Sequence, residues 1–262
     1  MTIPKAIFLD VDGTMLSFTT GQVPQSAVNA LLRAREAGIL LFAATGRHKN
    51  EFERMACLDD LALDGFVTLN GGYCFARDKI IYKNPLYPDT IAAVVAQMER
   101  NPFPCMFCEV DDIYINMINQ HVKDMQNTFN IAVPPVCDPT RALLAEIFQL
   151  AAFGHEEEEA FLSTLPHSKV TRWMDGGFDI VNESTNKWDG ILHMLTHFGL
   201  EPQEVVAIGD AENDIEMLAG AGYSIAMGNA DDDIKECADF VTSHVDDDGL
   251  EKAIDHLLGG KL

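Results

Sequence analysis

Ala6 to Leu9 is a short unbroken apolar run that stops at Asp10-Val11-Asp12-Gly13-Thr14. Beyond it, apolar residues recur at helical spacing from Ser26 to Ala37, with Ser26 the expected N-cap. A second apolar run, Ile39 to Ala44, stops at Thr45-Gly46-Arg47, and a third, Phe66 to Leu69, stops at Asn70-Gly71-Gly72. The C-terminal part repeats the rhythm: a helix from about Lys187 to Phe198, a strand Val205 to Ile208, a helix Asp214 to Leu218 and a strand Ser224 to Met227. Continuous apolar strands separated by helices predict a parallel sheet covered on both faces.

From about Pro85 to Asn182 the pattern changes to antiparallel signals. Cys105 to Val110 and Ile113 to Asn116 read as a hairpin turning at Asp111-Asp112, and Val170 to Met174 with Phe178 to Val181 as another turning at Asp175-Gly176-Gly177. Helical segments over Ile91 to Glu99 and Glu156 to Leu165 accompany them. The expected fold class is therefore α/β, a Rossmann-like parallel-sheet core formed by residues 1–84 and 183–262 with an α+β domain, 85–182, inserted into it.

Composition narrows the function classes. The 262 residues, 47% apolar and 23% charged, with mean hydropathy near zero, describe a globular chain with no apolar run of the roughly 18 residues that a membrane span needs. Its 41 acidic residues against 18 basic ones give a formal charge of -23, which repels nucleic acid. The N-terminus lacks a signal-peptide pattern, and six irregularly spaced cysteines read as reduced thiols, so a cytoplasmic protein is expected.

Several signals that look chemical have plainer readings. Cys105 and Cys108 spell C-x-x-C without a second pair, and on a strand residues i and i+3 face opposite ways, so core packing is expected. His193 and His197 have metal-chelating helical spacing, but Met194 stands where a metalloprotease motif needs Glu. The runs Glu156 to Glu159, Asp231 to Asp233 and Asp246 to Asp248 suit helix N-termini. Asp10-x-Asp12 and Asp210-x-Glu212-x-Asp214 begin like calcium loops, which want Gly at the sixth position and Glu at the twelfth. Counting from Asp10 gives Met15 and Gly21, and from Asp210 gives Ile215 and Ala221, so both fail. No ATP-binding P-loop, serine-hydrolase elbow or cysteine-phosphatase loop is present.

What remains is a set of polar residues, each where an expected strand stops: Asp10 and Asp12, Thr45, Asn70, and Asp210 with Asn213 and Asp214. In open α/β sheets the ligand crevice lies outside the carboxyl ends of the strands, so these residues can converge. Like charges about 4 Å apart repel by roughly 4 kcal/mol at an effective dielectric of 20, which calls for a cation among the carboxylates. All-oxygen donors suit Mg²⁺, and Lys187 is the nearest candidate for a second positive charge. A carboxylate beside Mg²⁺ can attack phosphorus, and a second one two residues on, facing the same way, can protonate the leaving oxygen and later activate water.

These residues resemble the haloacid-dehalogenase-like hydrolases, and among them the Cof-type class IIB phosphatases, over nearly the whole chain. Phe8-Leu9-Asp10-Val11-Asp12-Gly13-Thr14 is similar to the family's first motif and implies Asp10 as nucleophile and Asp12 as acid/base. Ala44-Thr45-Gly46-Arg47 is similar to the second, Lys187 to the third, and Gly209-Asp210-Ala211-Glu212-Asn213-Asp214 to the fourth. The resemblance implies a metal held by Asp10, Asp12 and Asp210, with Asn213 a further oxygen donor there. It implies a phosphate held by Thr45, Gly46, Lys187 and Asn213, and support from Arg47, Asn70 and Asp214. Ala226-Met227-Gly228-Asn229-Ala230, Val241-Thr242-Ser243 and Asp248-Gly249 resemble the Cof-type ending. One residue departs from the pattern, for many relatives follow the lysine with Gly where this chain has Trp188, expected to pack. The inserted segment falls where class IIB enzymes carry a cap, and the hairpins around Glu109 to Tyr114 and Asp175 to Phe178 are the candidates for its inner face.

The expectation is thus a Mg²⁺-dependent phosphatase of a small phosphate ester, a sugar phosphate or phosphorylated cofactor, with no nucleic-acid or membrane partner. A phosphomutase and a non-catalytic phosphate-binding module are the alternatives. Whether the chain is a monomer or a dimer is not legible from the sequence.

Overall fold

The computed structural model describes residues 3–52, 61–129, 133–174 and 176–259. The chain packs as two compact units, one formed by Met1–Tyr82 with Asn186–Leu262 and the other by Lys83–Thr185. In chain order the first unit begins with β1 (Ala6–Leu9), α1 (Gln25–Glu36), β2 (Leu40–Ala44), α2 (Lys49–Phe52), β3 (Gly65–Thr68), β4 (Tyr73–Ala76) and β5 (Lys79–Lys83). The second contributes α3 (Pro88–Arg100), β6 (Cys105–Cys108), β7 (Ile113–Ile115), α4 (Gln120–Phe129), β8 (Gln149–Phe153), α5 (Glu156–Leu162), β9 (Ser168–Met174) and β10 (Gly177–Asn182). The first unit then resumes with α6 (Lys187–Phe198), β11 (Val205–Gly209), α7 (Ile215–Gly220), β12 (Tyr223–Ala226), α8 (Asp232–Glu236), β13 (Phe240–Val241) and α9 (Gly249–Leu257).

The first unit's sheet runs β13-β12-β11-β1-β2-β3-β4-β5. It is parallel from β13 to β3 and turns antiparallel at the β3–β4 pair. Alternation along β1 sends Ile7 and Leu9 into one apolar layer with Leu31 of α1 and Ile254 of α9. Ala6 and Phe8 go into the opposite layer, with Met194 of α6 and Leu218 of α7. Burial on both faces is why these strands read as unbroken apolar runs. Strand β1 pairs with β2 on one side and β11 on the other, so sequence order reverses there, and the crevice that such a switch point opens lies beyond Leu9, Ala44 and Gly209.

The second unit is a five-stranded antiparallel sheet, β7-β6-β8-β10-β9. Phe107, Leu150, Phe178 and Ile180 pack with Ile91 and Val94 of α3 and Leu162 of α5, while Met106 and Phe153 face Val122 and Met125 of α4.

The structure moves some expected boundaries. Helix α1 begins at Gln25 behind Pro24, whose backbone carbonyl takes the Val28 N–H, so Ser26 lies in the first turn rather than at the cap. A 3₁₀ turn, Glu212–Asp214, precedes α7, which starts one residue after the expected Asp214. The first hairpin turns as expected, with the Glu109 N–H donating to the Asp112 carbonyl at 2.9 Å, whereas Asp175 of the second lies outside the described residues. Cys105 and Cys108 are both buried free thiols. His193 is exposed and stacks on Tyr82 with centroids 3.7 Å apart. No helix among the described residues is long and apolar enough to cross a membrane.

Candidate active site

Four strand ends of the first unit supply the polar residues. After β1 the Asp10 N–H donates to the Ile208 carbonyl of β11 at 2.9 Å, so the last ladder bond places Asp10 at the carboxyl end of the sheet. The residue is nearly sealed, 4% exposed. Lys187, the first residue of α6 and itself fully buried, donates to Asp10 Oδ1 and to Asp214 Oδ1, each at 2.6 Å. Asp214 Oδ2 takes the backbone N–H groups of Asp210 and Ala211 at 2.9 and 3.1 Å. The 3₁₀ turn over Glu212–Asp214 folds that carboxylate back onto its own loop, and Gly209 leaves room, since a Cβ there would lie 2.5 Å from Asp214 Cγ.

One carboxylate oxygen from each of Asp10, Asp210 and Asp214 lies within 4.8 Å of the others. Asp210 is oriented by Thr14 Oγ1 on Oδ1 at 2.8 Å and Asn229 Nδ2 on Oδ2 at 2.9 Å. Gly13 makes this approach possible: its φ of +83° suits glycine, and a Cβ would stand 2.2 Å from Asp210 Oδ2.

The Asp12 carboxylate has a cation of its own. Arg47 grips it in a fork, Nε to Oδ2 at 2.7 Å and Nη2 to Oδ1 at 2.6 Å, and Asp214 stands in the carboxylate cluster. Thr45 is buried at the end of β2, its Oγ1 accepting the Arg47 N–H at 3.1 Å and its carbonyl the Asn70 N–H at 3.0 Å. Asn70 adopts the left-handed conformation, φ 56°, which Asn tolerates better than most residues. Its Oδ1 accepts Asn213 Nδ2 at 2.9 Å, and Gly46 lies against the same amide. The expected residues thus fall into a Lys187-centred group of Asp10 and Asp214, with Asp210 alongside, and a second group of Asp12, Arg47, Thr45, Gly46, Asn70 and Asn213. Thr14 lies in the segment Asp10–Thr14 and Asn229 in Ala226–Ala230, and the sequence alone marks neither for a role. Trp188 packs against Gly220, where a Cβ would lie 2.2 Å from the indole. Two consecutive residues of α6 therefore hold both ends of α7, Lys187 through Asp214 and Trp188 through Gly220.

The cluster's charges are unbalanced, with three carboxylates facing one ammonium. Burial raises the Asp10 carboxyl well above the usual range; Lys187 opposes this, and Asp214, Asp210 and Asp12 reinforce it. Burial, then Asp214, push Asp210 up to about 7. Lys187 is driven upward, its two carboxylates outweighing the burial that favours the neutral amine. An oxygen-only donor set with three carboxylates and one ammonium fits a hard divalent cation.

A pH signature follows. A carboxyl with a higher pKa folded than unfolded stabilises the fold fully below its unfolded value, about 3.9, and loses that contribution as pH rises through its folded value. With Asp210 at about 7, the metal-free protein is expected to lose stability from about pH 4 to about pH 7, and an added divalent cation to restore more of it above that window than below. Thermal unfolding across pH, with and without chelator, checks this; a flat metal-free profile contradicts it.

Residues 7–254 match the family model described as haloacid dehalogenase-like hydrolase. A Bacillus subtilis (strain 168) protein named "Putative phosphatase YkrA" is 30% identical over 254 residues, which are 97% of this chain and 97% of that one. Two further relatives are longer, and the chain spans 54% and 45% of their lengths. Among solved structures, the subclass IIB sugar phosphatase BT4131 is similar with a TM-score of 0.86 and 35% identity, over 96% of this chain and 98% of that one. The phosphatase BT1666 from Bacteroides thetaiotaomicron is similar with a TM-score of 0.87 and 32% identity, over 97% and 95%.

Proposed function

The chain belongs to the haloacid dehalogenase-like hydrolases and is a phosphatase, and we propose that it hydrolyses a small phosphorylated metabolite, a sugar phosphate or phosphorylated cofactor, through an aspartyl-phosphate on Asp10 with Mg²⁺ as its metal. The observation that carries this reading is the Asp10 carboxylate, buried at the switch point of the sheet and held by the Lys187 ammonium at 2.6 Å. The sugar-phosphatase description of BT4131 supports the substrate class.

Asp10 and Asp210 would hold the metal, as the two carboxylates of the cluster beside the one that Lys187 and two backbone N–H groups occupy on both oxygens. When bound, Mg²⁺ supplies positive charge that screens the nucleophile from the phosphoryl oxygens and stabilises charge on the transferring group. Asp10 attacks phosphorus as the bond to the leaving oxygen breaks, and Lys187 holds the attacking carboxylate in place. Asp12 gives its proton to the leaving oxygen, then takes one from the water that hydrolyses the aspartyl-phosphate, so the acid is restored in each cycle. Arg47 fixes where the Asp12 carboxylate rests. Thr45 and the Gly46 amide bind phosphate oxygens. The unit Lys83–Thr185 selects among leaving groups, the role of a cap.

Phosphate release from a panel of sugar phosphates, phosphorylated cofactors and an aryl phosphate tests the proposal. Release is expected with Mg²⁺, should stop on chelation, and should be poor with Ca²⁺, whose longer and looser coordination misplaces the phosphate. Full activity after exhaustive chelation, or no release from any small ester, contradicts it.

A further inference from the structure

Both oxygens of Asp210 receive a donor, from opposite sides and from distant parts of the chain. Thr14 Oγ1, fully buried, reaches Oδ1 at 2.8 Å, and Asn229 Nδ2 reaches Oδ2 at 2.9 Å. A carboxylate has about four lone-pair positions. One donor on each oxygen stops rotation about the Cβ–Cγ bond and still leaves a lone pair on each oxygen for a cation.

Asn229 is itself anchored in one orientation. Its two N–H groups have two acceptors, Asp210 Oδ2 and the Gly13 carbonyl, each at 2.9 Å. Its Oδ1 takes the Val245 N–H at 3.0 Å. A flipped amide would face two acceptors with its oxygen and a donor with its nitrogen, so the network fixes the assignment. The same side chain therefore ties the loop after β1, the loop after β11 and the turn over Val245–Asp247 to a single carboxylate. Between Thr14 and Asn229, Gly13 lets its backbone lie against Asp210 where a Cβ could not fit.

We propose that Thr14 and Asn229 form a two-sided clamp on Asp210, acting as positioning residues that set the affinity of the site for its divalent cation. This rests on the reading that Asp210 holds the metal. Neither residue touches the cation; each acts through Asp210, as the hydrogen-bond partners of metal ligands do, and loss of such a partner weakens metal binding by about 10- to 100-fold.

The test is calorimetric titration of the chelator-stripped full chain with Mg²⁺ alone, no substrate present. Thr14→Val keeps the shape of a fully buried side chain and removes only its hydroxyl donor. It is expected to weaken Mg²⁺ binding by about 10-fold or more, with Thr14→Ser restoring it. Asn229→Ala is expected to weaken binding at least as much. Should Asn229→Ala not fold, the Thr14 pair alone decides the matter. Wild-type affinity in a folded Thr14→Val protein, while Asp210→Asn has lost Mg²⁺, overturns the clamp and leaves the metal reading standing. Undiminished Mg²⁺ binding by Asp210→Asn overturns the metal reading, and the clamp with it.

Discussion

Asp10→Asn is expected to abolish phosphate release, by on the order of 10⁴-fold or more as for loss of a covalent nucleophile, and to leave the metal-free protein at least as stable as wild type. The two halves of the expectation have one cause. Asp10 is buried among Asp210 and Asp214 with Lys187 as the ammonium bound to it, so its ionised form is costly without a metal, and its carboxyl sits well above the usual range because burial and those neighbours favour the proton. Asn keeps an oxygen for Lys187 Nζ and removes the costly charge, but the amide cannot attack phosphorus. Function has kept a carboxylate where stability favours a neutral group. Steady-state phosphate release and thermal unfolding in chelator, on the same preparation, read both halves. A folded variant keeping more than a few per cent of activity contradicts the first, and a marked fall in melting temperature contradicts the second.

Lys187→Met is expected to be the most destabilising single change at this centre. The ammonium is fully buried and joins Asp10 to Asp214 at 2.6 Å on each side. Methionine fills nearly the same space, so little packing is lost, yet the carboxylates are left facing each other without their cation. Removing one partner of a buried pair costs about 3–5 kcal/mol because the remaining charge is uncompensated. Phosphate release should be lost as well, since Asp10 loses the group that holds it. Denaturant unfolding near neutral pH in chelator measures the loss, and Mg²⁺ should recover more stability for this variant than for wild type. A loss under about 1 kcal/mol would contradict the pivotal place of Lys187 in this cluster.

The sequence showed the elements of the first unit best where one local rule sufficed. Strand β1 occupies the expected span because it is apolar on both faces and Asp10 ends it. Helix α6 runs over its expected residues because Asn186 caps its start, accepting the Asp189 N–H at 2.8 Å, and Gly199 ends it in the left-handed conformation. In the second unit the central strand β8, Gln149–Phe153, was missed: it is apolar apart from a buried Gln149, no turn residue precedes it, and its two antiparallel partners are both distant in sequence. Strands β4 and β5, which extend the first sheet past its parallel part, were missed too.

The same distinction runs through the site. Strand ends marked Asp10, Thr45 and Asp210, because polarity changes abruptly there. Which carboxylate meets which cation has no local signature. Arg47 lies two residues past Thr45 and pairs with Asp12, while Lys187 takes Asp10 and Asp214, so the sequence spacing of Asp10 and Asp12 gives no sign that their side chains go to different partners. Asn229 is less visible still, since its three contacts, Gly13, Asp210 and Val245, lie 216, 19 and 16 residues away. Only the sheet order, which sets β11 beside β1 and β12 beside β11, brings them together.

The central claim is that Asp10 itself carries the phosphoryl group. If Asp12 is the base proposed above, Asp12→Asn should let the phosphorylated enzyme accumulate when that variant is mixed with Mg²⁺ and an activated aryl phosphate. Borohydride reduction of the quenched protein converts an aspartyl-phosphate to homoserine, and peptide mass spectrometry locates it. Homoserine at position 10, absent without substrate and absent in Asp10→Asn, is the predicted result. Phosphate release without any modification of Asp10, or homoserine at another aspartate, would contradict the account.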